Sequence, residues 1–147
     1  MTDTLTYEVR RVRGDKEMAA ALELRHEVFC VEQGVPEREE LDGRDREGIH
    51  LVAVVDGENV VATCRLLMVG STAQFSRLAV RRSARRRGIA TALLRAADRE
   101  TIAAGGKRLV LHAQTYAQEL YERAGYRTRG RRFTEAEIEH IAMEKTL

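Results

Sequence analysis

Alternating and helical patterns follow one another along the chain. Residues 4–12, TLTYEVRRV, alternate closely enough to predict a first strand. Asp15 stands where an N-cap belongs, ahead of Met18, Ala21, Leu22, Val28 and Phe29, whose spacing is close to the period of an amphipathic helix. Between residues 30 and 48 the periodicity is lost. Gly34, Pro36, Gly43 and Gly48 interrupt a carboxylate-rich stretch, which predicts mostly loop with room for one helical turn. A loop of that length in a small domain often serves as a lid or binding loop. IHLVAVV (49–55) and VVATCRLLMV (60–69) then flank the hairpin connection Asp56-Gly57-Glu58-Asn59. A turn near Gly70-Ser71 leads to AQFSRLAV (73–80), making three consecutive antiparallel strands. After RRSARRRG comes an amphipathic helix of about four turns, with Ala90, Leu93, Leu94, Ala97 and Ile102 on one side and Gly105-Gly106 beyond its end. KRLVLHA (107–113) reads as a buried strand, TYAQELYERAG (115–125) as a short helix closed by Gly125, and YRTRGRRF and EIEHIAMEK as final strands. The order β-α-loop-β-β-β-α-β-α-β-β implies an α+β (mixed α/β) fold with helices on the faces of a sheet.

Composition narrows the class. The 147 residues suit one domain, taken as 1–147. With 44% hydrophobic and 33% charged residues and a net charge of +2, the chain is ordinary for a globular protein and lacks the overall positive coat of a nucleic-acid binder. No apolar run approaches a membrane span, and MTDTLTYEVRRVRGD lacks the apolar core of a signal peptide, so a cytoplasmic location is expected. Cys30 and Cys64 have neither metal nor disulfide spacing and read as buried free thiols, and the scattered histidines form no metal cluster. The basic residues are 22 Arg against 3 Lys. Coding bias explains most of them, but Arg81, Arg82, Arg85, Arg86 and Arg87 are packed into one short segment. That stripe could bind a nucleic-acid backbone, although no aromatic ladder accompanies it. The alternative is local recognition of a small anion, for which guanidinium groups are well shaped.

The strand–loop–helix unit QFSRLAV-RRSARRRGIA-TALLR (74–95) favours the local reading. A turn between a strand and a helix N-terminus exposes backbone N–H groups, and the helix dipole adds positive potential, which suits a phosphate or pyrophosphate. Arg85-Arg86-Arg87-Gly88-Ile89-Ala90 fits R-x-x-G-x-A; no G-K-[ST] follows, and G-x-G-x-x-G is absent. About 30 residues further on, A-x-x-L-Y-x-x-x-G-Y fits Ala117, Leu120, Tyr121, Gly125 and Tyr126. Further motifs are L-R-x-x-V-F-x-x-E-Q-G-V-P (Leu24 to Pro36), F-x-R-L-A-V (Phe75 to Val80), L-x-A-Q-x-x-A (Leu111 to Ala117) and I-x-H-I-x-M (Ile138 to Met143). In this order they resemble the GNAT superfamily of N-acetyltransferases, and most closely its ElaA/YjcF-like branch.

That resemblance implies a mostly antiparallel central sheet with helices on both faces and strands splayed at an acetyl-CoA site. It implies an acyltransferase that uses acetyl-CoA as cosubstrate, with no metal, and acts on a primary amine of a small molecule or peptide. Leu78, Ala79 and Val80 match the strand that meets the pantetheine arm. The N–H groups of Arg86, Arg87, Gly88, Ile89, Ala90 and Thr91 match the pyrophosphate loop, with Arg85 at its entry. Gln114 stands where the superfamily often has Asn against the pantetheine, and Tyr121 matches the tyrosine near the sulfur, a general acid. Glu32 is the candidate base in a loop that would wall the acceptor site, with His112 as an alternative. Arg25, Glu32, Gln33, His50 and His140 are the candidate acceptor contacts. The structural alternatives are pairing with an arginine for Glu32, hydrogen bonding within the sheet for His50 and His140, and a place in the core for Tyr121.

Six carboxylates between residues 37 and 47 predict a cationic acceptor if that loop borders the site, or a solvated loop offset by Arg38, Arg44 and Arg46. Two rivals to the enzyme remain: an acyl-CoA-binding regulatory protein without turnover, and a nucleic-acid-binding module. Pairing of the C-terminal strands in a homodimer is left open.

Overall fold

The computed structural model describes residues 6–147, so positions 4 and 5 of the expected first strand lie outside the described residues. The strands are β1 (Tyr7–Arg11), β2 (Ile49–Val55), β3 (Asn59–Val69), β4 (Thr72–Val80), β5 (Arg108–Gln114), β6 (Arg127–Glu135) and β7 (Ile138–Thr146). The helices are α1 (Gly14–Arg25), α2 (Glu37–Glu40), α3 (Ile89–Ala103) and α4 (Gln118–Arg123). The strands form one sheet in the order β1-β2-β3-β4-β5-β7-β6. Every neighbouring pair is antiparallel except β4–β5, which α3 joins as a crossover helix. No helix among the described residues is long and apolar enough to cross a membrane.

Strand alternation divides the interior into two layers. Leu51 and Ala53 of β2 face the core built with α3 and α4, whereas Val52 and Val54 face Ala21, Leu24 and Val28 of the first helical segment. The helices therefore cover both faces, as expected. Three local expectations need correction. Asp15 is not the cap: α1 begins at Gly14, whose φ is +70°, and Glu17 accepts the Arg13 N–H at 2.8 Å. The helix does not stop before residue 30 either, but widens into a π-helical turn over His26–Glu32, where Gln33 N–H reaches back to Val28 O at 3.2 Å. A wider turn breaks the 3.6-residue repeat, which is why the pattern of apolar positions faded there. Finally, Ile102 is 59% exposed; Ile89 and Thr101 are buried instead, the Thr101 hydroxyl donating to Ala97 O at 2.8 Å.

Two irregularities create the space between β4 and β5. Their parallel ladder holds only for Thr72–Arg108, Ala73–Leu109 and Gln74–Val110, after which the strands part. A bulge in β4 shifts the register against β3 between Thr63 and Arg65, with Arg77 at φ +59°. The β6–β7 hairpin turns through Ala136 (φ +51°) and Glu137 (φ +62°), a left-handed pair held without glycine beside the same opening.

Candidate active site

Beyond Gln74 and Val110, β4 bonds only to β3 and β5 only to β7, so the facing edges of both strands present main-chain groups to a cleft of about 1460 Å³. Leu78 and Val80 line it. The Ala79 side chain is turned into the opposite core, so only its main chain faces the cleft edge.

At one end the cleft meets the start of α3. Gly88 occupies the N-cap position at φ +79° and supplies no side-chain cap, and the first helical bond there is Ala92 N–H to Gly88 O at 3.1 Å. The N–H groups of Ile89, Ala90 and Thr91 therefore have no partner within the helix, and all three residues line the cleft. Arg86, at φ +63°, adds a second left-handed residue to the loop. Such successive N–H groups at a helix N-terminus favour an anion. A Cβ on Gly88 would meet nothing within 4 Å, so a side chain there would project into open space. Arg85 secures the loop: its Nε donates to Val80 O at 2.9 Å, and its Nη2 donates to both Glu32 oxygens at 3.0 and 2.9 Å. Glu32 is thus held by Arg85 beside the loop and does not itself line the cleft.

Tyr121 on α4 lines the middle of the cleft and is 8% exposed, with Phe75 and Tyr126 packed edge-on at ring distances of 6.3 and 5.9 Å. Burial pushes its phenol well above the usual tyrosine range, so the proton stays on its oxygen near neutrality. Gln33 and Gln114, 81 residues apart, meet across the opening: Gln114 Nε2 donates to Gln33 Oε1 at 2.8 Å, and Gln33 Nε2 also reaches the exposed Tyr116 at 3.4 Å.

On the sheet face beyond the splay lies a group that sequence reasoning did not assemble. His112 on β5, Glu135 at the end of β6 and His140 on β7 all line the cleft. His112 Nδ1 is 3.4 Å from Glu135 Oε1, and His140 Nε2 is 3.8 Å from Glu135 Oε2. His140 is buried, with Nδ1 2.6 Å from Ile138 O and its ring stacked on Phe133, whose ring also meets His112 edge-on at 4.9 Å. Glu135 and Phe133 were missed because nothing local marks them. The available signal was pairing: a β6–β7 hairpin brings Phe133 opposite His140 and Glu135 opposite Ile138.

The acidic loop behaves differently from both sequence expectations. Its buried carboxylate, Glu40, is bound by Arg25 at 2.7 Å and by Arg77 at 2.8 Å; Asp42 is bound by Arg65 at 2.8 Å, and Asp45 by Arg25 at 2.7 Å and Arg65 at 3.0 Å. Of the three arginines expected to offset this loop, Arg44 pairs with Glu47, but the loop's main partners come from α1, β3 and β4. The negative charge that suggested a cationic acceptor is thus largely neutralised internally. Arg25 is 1% exposed and does not line the cleft. Buried His50 sits on the same network through Nε2 and Asp45 O at 2.7 Å, so both belong to the wall supporting the site and not to its surface. Close approach of Arg65 and His50 also requires Gly48, where a Cβ would lie 2.9 Å from Arg65 Cγ and 3.1 Å from His50 Nε2.

The Arg65 guanidinium holds the Asp42 carboxyl well below the usual carboxylate range. A depressed folded value means that this stabilisation is present above the unfolded value of about 4 and is lost as pH falls from there toward the folded one. Asp42→Asn should therefore lower stability at neutral pH and flatten its fall below about pH 4; urea midpoints measured across pH test this, and parallel curves for the two proteins would refute it.

Among the described residues there is no group of three or more His, Cys, Asp or Glu able to hold a metal ion. A family model described as an acetyltransferase (GNAT) domain matches residues 13–147. The chain is 33% identical over 134 residues to the uncharacterized N-acetyltransferase YjcF of Bacillus subtilis (strain 168), a match covering 90% of this chain and 95% of that protein. Among solved structures, an acyl-CoA N-acyltransferase from Pseudomonas aeruginosa is similar with a TM-score of 0.82 and 31% identity, over 97% of this chain and 99% of that one. Escherichia coli ElaA shares the fold, with a TM-score of 0.83 and 22% identity over 97% of this chain and 99% of that one.

Proposed function

The chain belongs to the GNAT family of acetyltransferases, and from that premise we propose that residues 1–147 act as one domain transferring an acetyl group from acetyl-CoA to a primary amine by direct attack in a ternary complex. One observation carries the reading: an uncapped helix N-terminus and the proton-bearing Tyr121 line a single cleft, with unpaired main-chain edges between them. The similar Pseudomonas protein, named as an acyl-CoA N-acyltransferase, supports the choice of cosubstrate.

The residues present fit the cosubstrate. The N–H groups of Ile89, Ala90 and Thr91 would hold its pyrophosphate, with Arg86, Arg87 and Gly88 completing the loop and Arg85 fastening it. The main chain of Leu78, Ala79 and Val80 would hold the pantetheine arm, and Gln114 would have to exchange its bond with Gln33 to join them. When bound, acetyl-CoA supplies an acyl carbon activated as a thioester. Strand N–H donors lower the cost of charge on its carbonyl oxygen. Tyr121 keeps a proton on its hydroxyl oxygen for the departing thiolate. A base must take the proton of the amine, and we assign this to His112 rather than Glu32: Glu135 at Nδ1 fixes the tautomer, leaving the Nε2 lone pair as acceptor. Phe133, itself stacked on His140, packs edge-on against the imidazole, whereas Glu32, clamped by Arg85, positions the loop.

Thiol release from acetyl-CoA, followed across amines, amino acids, aminoglycosides and peptides, tests the function. Tyr121→Phe and His112→Ala should each lower kcat by about a hundredfold, with little change in the KM for acetyl-CoA. Unchanged turnover would remove that residue from the mechanism. Acetyl-CoA binding with no turnover across the panel would favour the regulatory reading.

A further inference from the structure

Resting on that function, the structure points to the class of acceptor: we infer that the amine is carried by a molecule with a carboxylate several bonds away, bound by Arg129 and Arg108 on the open face of β5, β7 and β6. Strand register lays out this face. His112 on β5 pairs with Ala142 on β7, which pairs with Arg129 on β6; one period along, Val110 pairs with Glu144, which pairs with Arg127. Directly paired residues share a face, so His112, Ala142 and Arg129 form a row with the small Ala142 as a dip between two large side chains. His112, Val110, Ala142, Arg129 and Arg108 all line the cleft.

The charge on this face is unbalanced. Arg108, Arg127 and Arg129 converge on Glu144, which is their only acidic partner among the described residues. Three guanidinium groups against one carboxylate leave an excess of two positive charges. Glu144 also satisfies these groups poorly. Arg127 lies at 3.3 Å, whereas Arg108 Nε and Arg129 Nη1 are 3.6 and 3.7 Å from the same oxygen, Oε2. Arg108 Nε is buried and has no hydrogen-bond partner. The rest of the Arg108 side chain is 42% exposed and borders the cleft, so its outer guanidinium nitrogens are open to a ligand oxygen. Two guanidinium heads held near one oxygen, both bordering the cleft, suit a second carboxylate, for which arginine offers paired donors.

Position then sets the length of the acceptor. Glu144 is the diagonal neighbour of His112 across the β5–β7 pair, a separation of about 7–8 Å. An α-amino group lies too close to its own carboxylate to bridge that distance, whereas an ω-amino acid spans it in extended form. The internal pairing of Glu40, Asp42 and Asp45 removes the charge of the acidic loop as an obstacle to such a ligand.

The test compares 6-aminohexanoate, 6-aminohexanamide and hexylamine in the thiol-release assay, with glycine as the short carboxylated amine. The first should exceed the other three in kcat/KM by about tenfold or more. In Arg129→Gln, a change at a half-exposed side chain that leaves the core intact, KM for 6-aminohexanoate should rise about tenfold with kcat held, and its advantage over the amide should shrink toward unity. Glu144→Gln, which removes the competing carboxylate, should lower that KM. Turnover of the amide or of hexylamine equal to that of the acid, an advantage that survives Arg129→Gln, or no turnover of any carboxylated amine by protein that binds acetyl-CoA would overturn the acceptor assignment. Failure to bind acetyl-CoA would instead overturn the function on which it rests.

Discussion

Gly88→Glu is expected to weaken acetyl-CoA binding by about a thousandfold while the protein remains folded. Gly88 is the N-cap of α3 at φ +79°, and a side chain there would meet nothing within 4 Å, so the new carboxylate would extend into the cleft without displacing the core. It would stand where the N–H groups of Ile89, Ala90 and Thr91 offer their positive potential. Two like charges about 4 Å apart near a protein surface repel by about 4 kcal/mol, which corresponds to that loss. The left-handed conformation adds a strain of about 1–2 kcal/mol for any non-glycine residue, and this would appear in stability rather than in binding. Gly88→Ala separates the two effects, because it carries the strain without the charge. Calorimetric titration with acetyl-CoA and urea unfolding on both variants provide the measurements. Near-native binding by Gly88→Glu would show that the pyrophosphate lies elsewhere.

Glu40→Gln is expected to cost about 3–5 kcal/mol of stability, the usual penalty for removing one partner of a buried ion pair. Glu40 is 3% exposed, and its carboxylate binds Arg25, itself 1% exposed, and Arg77. A neutral amide would leave Asp45 as the only carboxylate on Arg25 and Asp42, at 3.3 Å, as the only one on Arg77 among the described residues, although both would keep their bonds to main-chain carbonyls. Against a typical total of about 5–15 kcal/mol, the loss would move the urea midpoint substantially. Replacing the pair together, as Arg25→Met with Glu40→Leu, should recover much of the loss, since apolar side chains of similar volume tolerate the same burial. A penalty below about 1 kcal/mol for Glu40→Gln would show that water reaches the network and that it does not brace the acceptor side of the cleft.

These two sites differ in how far the sequence exposes them. The Gly88 loop is contiguous, with a strand, an arginine-rich turn, a glycine and an amphipathic helix following one another, so a linear pattern contains the whole device. Tyr121 is likewise marked by its place in a short motif. The network around Glu40 joins residues from α1, α2, β3 and β4, from Arg25 to Arg77, 52 positions apart, and no spacing rule connects Arg25 with Asp45 or Asp42 with Arg65. The acidic run allows two readings, free negative charge at the acceptor entrance or an offset by Arg38, Arg44 and Arg46, because the only arginine partners visible in the sequence are the neighbouring ones. Glu32 is a similar case: pairing with an arginine is one alternative the sequence offers, but the arginine that holds it, Arg85, lies 53 residues away.

By itself, the sequence determined the element order, the mixed α+β class and the glycine-led, uncapped start of α3, because these depend on periodicities of two and 3.6 residues and on main-chain chemistry confined to one turn. It also determined the family, through several short motifs in a fixed order. Only the tertiary structure decided which charges are spent and which remain available. Packing brings Arg25, Arg65 and Arg77 onto the acidic loop and cancels it, while strand register sets His112 beside Glu135 and crowds three arginines around Glu144. The physical reason is range: backbone periodicity is written in neighbouring residues, whereas the balance of charge in a cleft is a sum over side chains that meet only after the sheet has formed.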